Sequence, residues 1–122
     1  MTRTAHETLM TRSLLDVFNQ RDPQQRAAAI REVYSHDIVF YEEDASVSGA
    51  EALQERVQQL LDDAPGFVFA PVGKPLINHG MGRQPWTFGP PGAPPVVFGT
   101  DIARIVGDRI AALYVFVEPP SS

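Results

Sequence analysis

Residues 96–118, "VVFGTDIARIVGDRIAALYVFVE", limit most strongly what this chain can fold into. They read as two strands, 96–106 and 109–118, joined by the tight turn "GD" at 107–108. Side chains alternate across a strand, so Val97, Gly99, Asp101, Ala103 and Ile105 share one face. Val96, Phe98, Thr100 and Ile102 share the other. Both faces are apolar, and helices of the same chain cover only one of them. The simplest cover for the second face is the same surface on another copy, which predicts a symmetric homodimer through the sheet.

Asp101 is out of place in that setting. A carboxylate buried alone is expensive, so it has either a structural partner or a chemical role. Arg83, Arg104 and backbone amides are the structural candidates, although Arg104 projects to the opposite face of an ideal strand. In the chemical reading, desolvation raises the acid's pKa and makes it a hydrogen-bond donor or general acid near neutral pH.

The N-terminal half has helical periodicity. In "ETLMTRSLLDVFNQRD", Met10, Leu14, Val17 and Phe18 fall on one face. "DPQQ" predicts a second helix from Pro23 to Tyr34, with Asp22 as N-cap and Gln25 as capping-box partner. Its inward residues are Ala27, Ile30, Val33 and Tyr34. A short strand follows at 36–43, "HDIVFYEE", placing Ile38, Phe40 and Glu42 on one face. "SGAE" repeats the capping pattern with Ser48 and Glu51, opening a third helix that runs to Asp63 and buries Leu53, Val57, Leu60 and Leu61.

From residue 67 the pattern is strand: 67–78, 82–89, 96–106 and 109–118, predicted to form an antiparallel meander. Pro71, Pro75 and Pro85 point to edges or bulges in its first two segments. The order helix, helix, strand, helix, then sheet gives an α+β layer fold with helices on one face, in a single domain, 1–122. With 122 residues, 43% hydrophobic, such a chain buries a core without staples, and it has no cysteine to make one.

The formal net charge is −5 and the 10 Lys and Arg are scattered, which argues against nucleic-acid binding. No apolar run reaches the roughly 20 residues that span a bilayer, and "MTRTAHETLM" lacks the apolar core of a signal peptide. A cytoplasmic protein is expected. The histidines at 6, 36 and 79 have no paired spacing, so no metal is expected. Glycine-rich nucleotide-binding motifs are absent too, and no cofactor is expected.

The element order, with "YEEDASVSGAEAL" and "GTDIARIVGDRIAALYVFVE", resembles the nuclear-transport-factor-2-like superfamily, in particular its SnoaL-like and ketosteroid-isomerase-like members. The resemblance covers nearly the whole chain. It implies a cone-shaped, cystatin-like α+β roll, in which a curved, mainly antiparallel sheet wraps three N-terminal helices around an apolar pocket. In ketosteroid isomerases an acid on the first strand shuttles a proton, and Glu42 holds that place here. A second acid on the next-to-last strand stays protonated and donates to the substrate oxygen; it sits in a run matched by Val96, Val97, Asp101 and Arg104. Those isomerases also carry a tyrosine on the first helix, whose counterpart here is near Leu14, and this helix has no tyrosine. Related epoxide hydrolases need a second acid on the last strand, where this chain has Val115.

The resemblance therefore implies acid–base isomerase, cyclase or dehydratase chemistry on a small hydrophobic carbonyl compound, with Asp101 and Glu42 catalytic. The alternative is a non-catalytic ligand-binding or dimeric accessory protein of the same fold. Trp86 with Phe88, and Tyr114 with Phe116, share faces of their strands and are candidate substrate-binding residues. The Tyr114 hydroxyl is a candidate replacement for the missing helix tyrosine. His79, in the turn sequence "NHG", has a suitable pKa for a base and completes the candidates.

Overall fold

The computed structural model describes residues 2–119. Helix α1 (Arg3–Arg12) runs without a break into a π-helical segment, Ser13–Phe18. Here the Asn19 N–H reaches back to the Leu14 carbonyl at 3.0 Å. This widened turn keeps Leu14, Val17 and Phe18 buried on the core side together with Met10. The Asn19 amide then clasps the Phe69 backbone twice, donating to its carbonyl at 2.8 Å and accepting from its N–H at 2.6 Å. The end of the first helix is thus pinned to a strand 50 residues away.

Helix α2 (Pro23–Val33) begins as expected at Asp22, whose carboxylate accepts from the Gln24 N–H at 3.0 Å. The reciprocal half of the capping box does not form: Gln25 accepts from Gln20, and the Asp22 N–H goes to Gln20 as well. The buried face is Arg26, Ala29, Ile30 and Val33, so Ala29 takes the place expected of Ala27. Arg26 is wholly buried, donating to the side chains of Gln54 and Gln58 on α3 and to the Gln20 carbonyl. It clamps α2 to α3 (Ala50–Asp62). Burial lowers its pKa, although it stays far above neutrality as any guanidinium does.

Helix α3 is capped by Gly49 at φ 94°, not by Ser48, which lies in a strand. The positive φ suits glycine alone and replaces the expected Ser48–Glu51 box. Leu53, Val57 and Leu61 are buried, each contributing roughly 1.5–3 kcal/mol of transfer free energy, and Leu60 is half-buried.

The seven strands are β1 (Tyr34–Tyr41), β2 (Ser46–Ser48), β3 (Val68–Pro71), β4 (Leu76–Asn78), β5 (Met81–Gly89), β6 (Val97–Val106) and β7 (Arg109–Val117). They form one sheet in the order β2-β1-β7-β6-β5-β3, with β4 also paired to β5. The last four expected segments form the antiparallel part, but 67–78 splits into β3 and β4. Pro85 explains the split: it lies within a strand paired on both sides, and the gap 72–75 falls opposite it. Its carbonyl accepts from the Val72 N–H at 2.9 Å on that side, so its missing N–H faces the gap and costs no bond to β6. The β1–β7 pairing is parallel, and β2, which the sequence did not announce, forms a hairpin with β1.

An extra residue near Ala111 interrupts the β6–β7 register, and β1 is irregular between Tyr34 and Val39. Such bulges bend a sheet. The bulge also reverses the alternation along β7: Ile110 points inward, and after it so do Leu113 and Val115. Among the described residues no helix is long and apolar enough to cross a membrane.

Candidate functional site

A cavity of about 200 Å³ opens between the concave face of the sheet and the helices. Leu14 and Phe18 come from the π-helical segment, Phe40 from β1, Phe69 from β3, and Trp86 and Phe88 from β5. Two residues in its wall are ionisable, Asp101 and Glu42.

Asp101 is 6% exposed and lies on the inward face of β6. Its partner is neither Arg83 nor Arg104, both of which are exposed. Instead the Trp86 indole N–H donates to Oδ1 at 2.9 Å. No described residue donates a hydrogen bond to Oδ2, while the fully buried side-chain oxygen without a partner is Oε1 of Gln84, the residue paired with Asp101 across the β5–β6 ladder. Burial pushes the carboxyl up to about 7, while the Trp86 N–H, which favours the carboxylate, pulls the other way.

The Trp86–Asp101 contact is diagonal across the β5–β6 ladder. Trp86 pairs with Gly99 and Gln84 with Asp101, and the indole lies over Gly99 to reach its acceptor. A Cβ at residue 99 would lie under 3.0 Å from three atoms of the Trp86 six-membered ring. Gly99→Ala is therefore expected to displace the indole and break its bond to Asp101, at a cost of about 1–3 kcal/mol. Urea unfolding and a shift in tryptophan emission check this; unchanged values for both contradict the packing described.

A second buried polar pair lies behind the cavity. Tyr34, where β1 begins, is hydrogen-bonded through its hydroxyl to the Ser13 hydroxyl in the π-helical segment. Burial raises the phenol well above its ordinary range, Ser13 works against that, and the negative charge of Asp101 adds to the rise.

Glu42 follows β1 at the cavity rim, on the side shared by Ile38 and Phe40. Arg56 of α3 grips both of its oxygens, at 2.6 and 2.8 Å. That fork takes up one lone-pair site on each oxygen and leaves the others available.

The remaining candidates divide. Trp86 and Phe88 line the cavity. Tyr114 and Phe116 do not: the bulge in β7 turns them to the convex face, where they are 39% and 61% exposed and Tyr114 stacks on Tyr41 at 4.5 Å. Val115 and Val117 take the inward places. His79 lies in the exposed β4–β5 turn at φ 48°, in a shallow hollow with Arg3 and His6 far along the sheet from Asp101. It has no place in the cavity, because its positive φ serves the turn.

Sequence reading did not name Phe18, Phe40, Phe69, Arg56 or the Ser13–Tyr34 pair as site residues, although it put Phe40 on the face of Glu42. Phe18 carried a signal, its position on the apolar helical stripe. Phe69 and Arg56 carried none, since strand pairing and a clasp from Asn19 place the first and a contact with a distant rim places the second.

No family model matches the sequence, and no curated protein matches it either. Among solved structures it is similar to a protein of Agrobacterium tumefaciens provisionally named an isomerase of the SnoaL-like family. That match has 20% identity and a TM-score of 0.87 over 95% of this chain and 99% of that one. A protein of Kribbella flavida provisionally named a ketosteroid isomerase matches at 14% identity and TM-score 0.72, over 98% of this chain and 84% of that one. A de novo designed protein with a curved β-sheet matches at 12% identity and TM-score 0.76, over 98% of this chain and 89% of that one. At these identities the likeness is one of fold.

Proposed function

With the fold of the nuclear-transport-factor-2-like proteins as premise, we propose that this chain is a cofactor-independent acid–base catalyst acting on a small hydrophobic carbonyl compound, as an isomerase, cyclase or dehydratase. The observation that carries the reading is a buried carboxyl, Asp101, with one oxygen held by Trp86 and the other unpartnered toward an apolar cavity whose rim bears Glu42. In the first step the substrate α C–H bond breaks and its proton passes to the Glu42 carboxylate. The released electron pair forms the enol double bond, and the charge growing on the carbonyl oxygen meets the O–H of neutral Asp101. Returning the proton to a different carbon completes an isomerisation. Trp86 and Phe88 would hold the substrate. The direct test is exchange of ketone α-protons in heavy water, followed by NMR. Exchange above the buffer rate is expected; none from any ketone that binds would refute catalysis.

A binding-only reading has one observation in its favour, the engagement of Glu42 by Arg56. It expects ligand binding without exchange.

The convex face supports assembly with a second copy. Phe98, Thr100 and Ile102 on β6 adjoin Tyr114 and Phe116 on β7, a stripe uncharged along its middle with Arg83 beside Ile102 and Glu118 beside Phe98 at its margins. A chain of net charge −5 meets its own copy with least repulsion across such an uncharged stripe. Phe116→Arg is expected to convert a dimer to a monomer in light scattering. A monomeric wild type at micromolar concentration would contradict this.

A further inference from the structure

We infer that the cavity is built for an uncharged aromatic molecule of one or two rings whose single buried oxygen meets Asp101; this rests on the reading above and narrows it.

Size sets the first bound. An apolar cavity of about 150 Å³ holds benzene, and ordinary ligand pockets begin near about 300 Å³. At about 200 Å³ this one has room for a substituted ring or a fused pair, and a four-ring skeleton would lie partly outside it, over the rim at Glu42, Val115 and Val117.

The walls set the second. Phe69 is their hub: Phe18 and Trp86 meet it edge-on at 5.9 and 5.1 Å, and Phe88 stacks on it at 4.1 Å. Phe40 closes on Phe18 at 5.5 Å. Five of the residues lining the cavity are aromatic, so a flat aromatic guest gains ring–ring contacts that a saturated guest of equal area does not.

Charge sets the third. No Lys, Arg or His lines the cavity, which disfavours an anionic guest. A cation is not favoured either, because Arg56 neutralises Glu42 and burial favours the uncharged form of Asp101. Among the side chains of the cavity wall Asp101 is the one buried polar group, so a second polar group on the guest must sit at the rim.

The test uses Trp86, the chain's only tryptophan, as reporter, with calorimetry alongside. The probes are acetophenone, 1-tetralone, cyclohexyl methyl ketone, a four-ring steroid ketone, benzoate and benzylamine. The two aromatic ketones are expected to bind about tenfold or more tighter than the cyclohexyl ketone, the worth of one or two aromatic contacts. The steroid and the charged probes are expected to bind more weakly still. Equal or tighter binding of the cyclohexyl, steroid or charged probes overturns the inference, as does binding of none. Measuring α-proton exchange on the same ketones separates the two claims. Exchange confined to the steroid or the cyclohexyl ketone sinks the aromatic inference and leaves acid–base catalysis standing. Tight aromatic binding without exchange does the reverse.

Discussion

Asp101→Asn is expected to be more stable than the wild type at about pH 8 by on the order of 4 kcal/mol, and nearly equal to it at about pH 4. The sign follows from the direction of the shift. In the unfolded chain an aspartate titrates near about 3.9; in the folded protein burial holds Asp101 up at about 7. Between those values the folded state keeps a proton that the unfolded state has released, so raising the pH favours unfolding. Above the folded value both states are ionised and the penalty is complete. Asparagine has no proton to lose, still offers Trp86 an acceptor oxygen, and directs an N–H toward the cavity. The difference between variant and wild type should therefore open across the window from about 4 to about 7 and then level off. Urea denaturation at several pH values measures it. Parallel stability profiles would mean that Asp101 is not held neutral.

The second large effect concerns catalysis. Asp101→Leu removes the donor to the developing oxyanion and leaves the Trp86 N–H unpaired, and a loss of about 10²–10³ in the exchange rate is expected. Glu42→Gln removes the proton acceptor and should cost about 10²–10⁴. Asp101→Asn, which keeps a donor toward the substrate, should retain more activity than Asp101→Leu and lose the pH dependence due to Asp101. If Asp101→Leu and Asp101→Asn exchange as fast as the wild type, the assigned chemistry is wrong. If only Glu42→Gln is silent, the base lies elsewhere.

The parts of the molecule legible in the sequence are those encoded locally. Leu53, Val57 and Leu61 announced α3 by their spacing, and the alternation in β6 put Asp101 on one face with Gly99 and Ala103, the face that the fold turns inward. Long-range features were hidden. Nothing near Tyr34–Tyr41 tells that this strand runs parallel to β7, and nothing near Ala111 signals the extra residue that turns Tyr114 and Phe116 away from the cavity. The capping pattern at Ser48 was outweighed by Gly49, whose positive φ turns the chain from β2 into α3. Helical spacing did not mark Arg26 as buried, because its burial depends on Gln54 and Gln58 of another helix.

The same distinction holds for the site. Asp101 was conspicuous because a carboxyl interrupts an apolar strand. Its partner was not, because the Trp86 N–H reaches it diagonally over Gly99. The aromatic walls come from four separate elements, so their convergence is a property of the fold.

The most direct test of the central claim, a carboxyl held against Trp86 and protonated up to neutrality, is a pH titration of tryptophan fluorescence in wild type and Asp101→Asn. Trp86 is the only tryptophan and donates straight to the titrating group, so excitation at the red edge, where the three tyrosines do not absorb, reads this site alone. The expected result is a change in wild-type emission with its midpoint near 7, absent from Asp101→Asn. A wild-type signal that is flat through neutrality, or a midpoint near the ordinary aspartate value, would show Asp101 to be an ionised structural acid and would contradict the account.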